Sequence, residues 1–285
     1  MRLTLLLVTL LMLAGCEGTL FAAVNARQPS EGVVAHRDNV YDAAHHLALD
    51  VYAPAQASHA PVVVFFYGGS WKNGKRQWYR WVGQALAARG IVAVVADYRL
   101  WPTVRMDGFL HDGAEAVRWT RDHASEFGGD PSHLFVMGHS AGGHIAAMLA
   151  TDKQWLAAVG MKPRDLSGWI GVAGAYDFLP LDDADFIDMF GSTPAQQAKS
   201  QPINFVDGDE PPALLLQGEA DTIVFPSEAI SMEGRYRQQG EPVTLKLFPK
   251  LGHEGLLFAL GPLDGKAPVM KDVVDFVRRE SAVAK

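Results

Sequence analysis

The 285-residue sequence predicts an α/β protein: a doubly wound, mostly parallel sheet with helices on both faces. Two observations carry that expectation. Short apolar segments alternate along the chain with stretches whose apolar residues recur at helical spacing, and glycine-rich turns stand where one type gives way to the other. A third sets the scale. With 48% hydrophobic and 20% charged residues, and no linker, repeat or low-complexity tract, the chain reads as one large folded domain. The net charge of −7 without a basic stripe argues against a nucleic-acid partner or a strongly anionic polymer as substrate.

Taken in order, Arg2 precedes a largely apolar run from Leu3 to Leu13, too short to span a bilayer comfortably, so residues 1–15 read as an export signal. Leu13-Ala14-Gly15-Cys16 is similar to the lipobox of bacterial lipoproteins, in which cleavage leaves the cysteine as a lipid-modified first residue. Cys16 is the only cysteine, which excludes an intramolecular disulfide and leaves a thiol where a lipid attachment has to be. Residues 16–35 are expected to form a tether and residues 36–285 the folded domain, giving an exported protein held at the membrane of a bacterial cell envelope.

Leu47, Leu49 and Val51 alternate with Ala48, Asp50 and Tyr52, the period of a strand with one buried face. Val62 to Phe66 is continuously apolar between Pro61 and Gly68-Gly69, as expected of a central strand covered on both sides. Trp78, Trp81, Val82, Leu86 and Ala87 predict a helix stopping near Gly90, and Ile91 to Val95 the next strand. Leu110, Ala114 and Val117 share a helical face before Gly128-Gly129-Asp130-Pro131 leads into the apolar run Leu134 to Met137. Trp169 to Ala173, Ala213 to Leu216 and Val243 to Phe248 supply further strands, and residues 227–239 and 269–279 further helices. The aromatics on the helices read as core. Residues 178–208 lack a clear period and read as a lid or a pocket wall.

Gly138-His139-Ser140-Ala141-Gly142 lies between the strand at Leu134 to Met137 and helix-compatible residues from Gly143 to Leu149. Small residues on either side of the serine let a tight strand-to-helix turn pass without a Cβ collision, which holds the hydroxyl out in the open. Ser140 is the candidate nucleophile, and the unpaired amides opening the following helix face any negative charge that develops on a bound carbonyl oxygen. Serine needs a base and the base an orienting acid. Among ten histidines, His253 sits in the glycine-flanked loop Lys250 to Gly255 after a predicted strand and is the candidate base. Asp221 follows the strand Ala213 to Leu216 and is the candidate acid, with Glu219, Asp177 and Glu254 as competitors. The other histidines, His139 and the pair His45-His46 included, read as local hydrogen-bonding or surface residues. Their spacing shows no metal-ligand pattern, and no metal or organic cofactor is expected. The turn Tyr67-Gly68-Gly69-Ser70-Trp71 offers backbone donors: Gly69 and Ser70, together with Ala141, are the candidate oxyanion hole, supported by Tyr67, Gly68 and Trp71.

These segments together resemble the esterase and lipase branch of the α/β-hydrolase superfamily that carries an HGGG or HGG-x-W oxyanion loop. The resemblance runs from about Val40 to the C-terminus. It rests on Gly138 to Gly143, Asp97-Tyr98-Arg99-Leu100, Gly128-Gly129-Asp130-Pro131, the loop holding Asp221, and His253. It implies the chain order nucleophile, acid, histidine, which leaves His144 and His253 as bases, and His144 lies only about one helical turn beyond Ser140. The family's leading histidine is Tyr67 here, a change in what supports the oxyanion loop that leaves its amides in place. The Gly68-Gly69-Ser70-Trp71 form is similar to that of feruloyl and acetyl xylan esterases, prenylcysteine methylesterases and kynurenine formamidases. The resemblance therefore implies cofactor-free hydrolysis of a small-molecule carboxylic ester through an acyl-enzyme. Its alternatives are an arylformamidase or other amidase of the same fold, and a non-catalytic ligand-binding lipoprotein.

Overall fold

A computed structural model describes residues 18–283. The export signal and Cys16 lie outside the described residues. Helical residues 18–27 (α1) precede an eight-stranded sheet whose order is β1-β2-β4-β3-β5-β6-β7-β8. The strands are β1 (Val33–Asp42), β2 (Leu47–Pro54), β3 (Ala60–Phe66), β4 (Val92–Ala96), β5 (Gly129–His139), β6 (Gly168–Val172), β7 (Ala213–Gly218) and β8 (Val243–Phe248). Only the β1–β2 and β2–β4 pairs are antiparallel; the pairs from β4 through β3 to β8 are parallel. Parallel neighbours need long crossovers, and the crossovers hold helices α2 (Arg80–Ala87), α3 (Met106–His123), α4 (Ala141–Thr151), α5 (Lys153–Ala158), α6 (Ala184–Phe190), α7 (Pro194–Ala198) and α8 (Pro226–Gln238). After β8 come α9 (His253–Phe258) and α10 (Val269–Ser281).

The continuous apolar runs of β3 and β4 are buried residue after residue, so both faces of the central sheet are covered. The alternation in β2 misleads. Leu47 through Ala53 are all buried, Asp50 and Tyr52 included, because both faces of β2 are covered, with Gly83 of α2 set directly against the Tyr52 ring. Asp50 is accommodated there by the Arg76 guanidinium at 3.0 Å. β1 has no counterpart in the apolar pattern: it is an edge strand, mostly exposed, and its backbone bonds to β2 hold it.

Residues 16–35 do not behave as a free tether where they are described. α1 packs on the domain: Val24 and Asn25 are buried, Asn25 donates to the Gln77 carbonyl at 3.0 Å and accepts from the Trp81 amide at 3.0 Å. β1 also begins at Val33, before the expected domain boundary. Residues 178–208 contain α6, α7 and a 3-10 turn at Pro202–Phe205. Their aromatic side chains pack on the domain, with Phe178, Phe186 and Phe190 set around Trp71 at centroid distances of 6.0, 5.9 and 4.9 Å.

Candidate active site

The turn between β5 and α4 is as tight as glycine permits. A Cβ on Gly138 would lie 2.0 Å from the Gly142 carbonyl oxygen, and one on Gly142 2.0 Å from the Phe66 oxygen. Ser140 stands between them at φ 55° and ψ −121°, a conformation costing on the order of 1–3 kcal/mol that the surrounding packing holds. Its amide donates to the Val172 carbonyl at 3.0 Å, tying the turn to β6, and its carbonyl accepts from His144 as α4 begins.

Asp221 and His253 come together from the C-terminal ends of β7 and β8. His253 Nδ1 lies 2.8 Å from Asp221 Oδ2, both residues being buried. Oδ1 of the same carboxylate accepts from the amides of Ile223 at 2.9 Å and Val224 at 3.0 Å. Burial pushes the Asp221 carboxyl up, but the hydrogen bond from His253 and the two amide bonds outweigh it and hold the group below the usual carboxylate range. An ionised Asp221 keeps the imidazole proton on Nδ1, leaving Nε2 as an acceptor. The competing acids Asp177, Glu219 and Glu254 are exposed.

Gln217 enters the site without having been singled out in the sequence. Fully buried, it donates from Nε2 to Asp221 Oδ2 at 3.2 Å and to the Val224 carbonyl at 3.0 Å. The available signal was a polar residue in the last turn of an otherwise apolar strand, Ala213 to Gly218.

Ser140 and His253 line one cavity of about 220 Å³, together with Gly68, Gly69 and Ser70. Among the described residues no hydrogen bond yet joins the Ser140 hydroxyl to His253; such contacts commonly tighten only when substrate is bound. Gly68 passes so close that a Cβ on it would meet the Ser140 Cβ at 3.0 Å. The following turn runs at φ 125° for Gly69 and 53° for Ser70 and is closed by the Lys72 and Asn73 amides on the Gly69 carbonyl, each at 3.0 Å. The amides of Gly69 and Ser70 donate to no other group among the described residues. Trp71 anchors the far end of the loop: its carbonyl accepts from the Trp101 amide at 2.9 Å, and its ring packs against Phe190.

Tyr67 supports the loop in its own way. It is buried, stacked between Tyr79 (5.4 Å) and Tyr98 (4.6 Å), and its hydroxyl donates to Asp97 Oδ1 at 3.3 Å. The Tyr98 hydroxyl donates to the Tyr67 carbonyl at 2.7 Å, and Asp97 is paired with Arg76. A stack of phenol rings and a carboxylate thus supports the loop.

Two histidines are internal rather than superficial. His139 is buried with its ring 4.6 Å from that of His253, and its Nε2 meets the His253 carbonyl at 3.3 Å. Since a carbonyl only accepts, Nε2 carries the proton. Burial first, and the neighbouring His253 second, push its pKa down to about 3. His144 donates from Nε2 to the Ser200 carbonyl at 2.8 Å, and burial lowers it to about 4. Both are neutral at working pH. By contrast His45 bonds Asp42 at the surface. Among the described residues no group of histidine, aspartate, glutamate and cysteine could hold a metal ion, and no helix is long and apolar enough to cross a membrane.

A mostly parallel eight-stranded sheet of this order, with a serine elbow between β5 and α4 and a carboxylate and an imidazole delivered from the ends of β7 and β8, is the α/β-hydrolase fold. The chain belongs to the BD-FAE family, whose profile matches residues 49–235. It is similar to isoprenylcysteine alpha-carbonyl methylesterase of Arabidopsis thaliana, 27% identical over 254 residues that cover 81% of this chain and 59% of that one. It is similar also to esterase LipC of Mycobacterium tuberculosis, 32% identical over 196 residues, 62% of this chain and 48% of that. The chain thus spans about half the length of these relatives. Among solved structures, a truncated carbohydrate esterase from gut microbiota superposes with a TM-score of 0.78 at 20% identity, over 90% of this chain and 100% of that one. Esterase B of Lactobacillus Rhamnosis does so with 0.77 at 23% identity, over 96% of each. Both likenesses are likenesses of fold.

Proposed function

We propose that the protein is a serine carboxylesterase acting on small-molecule esters without metal or organic cofactor. The observation that carries this reading is the buried Asp221–His253 pair opening on the same cavity as the elbow serine and an oxyanion loop with free amides. Ser140 Oγ attacks the acyl carbon while His253 Nε2 takes its proton, and the carbonyl π electrons move onto the oxygen. The amides of Gly69, Ser70 and Ala141 receive that oxyanion, each such donor being worth about 2.7–4 kcal/mol to the transition state. The tetrahedral intermediate collapses, the alcohol leaves with the proton from His253, and water activated by the same imidazole hydrolyses the acyl-enzyme. The family membership supports this reading, as do relatives that are themselves a methylesterase and an esterase. The purified protein is expected to hydrolyse p-nitrophenyl acetate and to be labelled by a fluorophosphonate. Faster turnover of N-formylkynurenine than of the acetate would make it an arylformamidase, and no labelling of folded protein would make it a binding protein.

We propose further that Cys16 is lipid-modified after removal of residues 1–15, which places the enzyme at a bacterial envelope membrane. The lipobox-like sequence and the single cysteine support this. Cys16→Ser in the producing cell should move the protein from the membrane to the soluble fraction; unchanged fractionation would refute the anchor.

A further inference from the structure

The segment expected to be a tether forms part of the catalytic cavity. Phe21 of α1 lines it, together with Trp78, Tyr79, Ile223 and Leu257. The Phe21 ring stacks on Trp78 at 5.4 Å with 7° between planes and leans on Tyr79 at 5.0 Å. Trp78 is held from outside by Lys75, whose Nζ lies 5.3 Å from the ring centroid. α1 cannot simply swing away, because buried Val24 and the two hydrogen bonds of Asn25 pin it to the segment that carries Trp78. The cavity that Phe21 lines, about 220 Å³, is smaller than the roughly 300 Å³ at which pockets for larger ligands begin.

We propose that Phe21 is a specificity-determining residue: it closes the apolar side of the cavity and restricts the enzyme to esters with a short acyl group. The inference rests on the esterase reading and adds the substrate class to it. A pinned aromatic wall has to be fitted rather than displaced, since shifting Phe21 breaks its stack with Trp78 and strains the Asn25 contacts. Each methylene that does not fit is therefore discriminated against at the transition state.

The test compares kcat/KM for p-nitrophenyl acetate, butyrate and octanoate in the full chain. Wild type should prefer acetate and butyrate. In Phe21→Ala the octanoate-to-acetate ratio should rise about tenfold or more, the scale that one or two accommodated methylenes command. In Phe21→Trp the butyrate-to-acetate ratio should fall. Opposite shifts in selectivity are not produced by a generic loss of stability. Should the alanine variant fail to fold, Phe21→Leu, which keeps an apolar contact with less bulk, carries the same expectation. Octanoate and butyrate ratios unchanged within twofold in both directions, with ester hydrolysis and fluorophosphonate labelling of wild type intact, would overturn the role of Phe21 alone. Absence of hydrolysis and labelling in wild type would remove the esterase reading and this inference together.

Discussion

Ser140→Ala is expected to lower kcat for p-nitrophenyl acetate by about 10⁴–10⁶ and to abolish fluorophosphonate labelling, with the fold unchanged. The loss is large because the hydroxyl on the elbow is the group expected to form the covalent bond, in the cavity that His253 also lines. What persists is the contribution of the oxyanion amides and of binding, which by themselves give about 10³–10⁴ over water. Stability should hardly move. The Ser140 side chain makes no hydrogen bond among the described residues, so removing it orphans nothing. Alanine also inherits the same positive φ, so the stored strain remains. Activity and melting temperature measured on the same preparation check both halves. Turnover persisting at anything near the wild-type rate would place the nucleophile elsewhere.

Asp221→Asn is expected to lower kcat by about 10⁴, a loss of similar kind reached by a different route. Oδ1 is engaged by the amides of Ile223 and Val224, both donors, so the carbonyl of an asparagine must occupy that position. Its NH₂ then faces His253 Nδ1 and Gln217 Nε2, which now meet a donor where they met a carboxylate oxygen. The imidazole answers by moving its proton to Nε2, the tautomer that cannot accept from Ser140. An unimpaired Asp221→Asn enzyme would mean that the imidazole is oriented by something else.

The same variant carries a pH signature. Asp221 has a lower pKa in the folded protein than the ordinary value of 3.8, so in the native state it binds its proton less readily than the unfolded chain does. The stability this contributes is present above pH 3.8 and is lost as pH falls through the lower folded value. Asparagine does not titrate, and its melting temperature should therefore fall less steeply than that of wild type below about pH 4. Parallel acid limbs in thermal unfolding would contradict the pairing.

The parts of the molecule legible in the sequence are those in which a short segment carries its own constraint. β3 and β4 are legible because a buried parallel strand has to be apolar at every position. The elbow is legible because Gly138 and Gly142 answer clashes within the turn or with the adjacent strand, and spacing alone records them. Asp221 could be picked out only by its place after a strand, and its competitors are set aside by exposure, a property of the folded chain. β2 shows where pattern fails: its alternation of apolar with polar residues suits one buried face, yet Asp50 is buried because Arg76, 26 residues away, meets it. β1 is set by backbone bonds that side chains do not encode.

By itself, the sequence determined the fold class, the serine turn, the glycine loop beside it and the order of the chemically able residues, since these follow from local sterics and periodicity. Tertiary structure alone decided that Gln217 braces the acid, that a stack of tyrosines supports the loop, and that α1 brings Phe21 to the cavity. The tyrosine stack and the Phe21 contact depend on partners that other segments supply only when the chain folds. Gln217 and Asp221 lie four residues apart, and it is the turn after β7, not the pattern of the strand, that brings the amide onto the carboxylate.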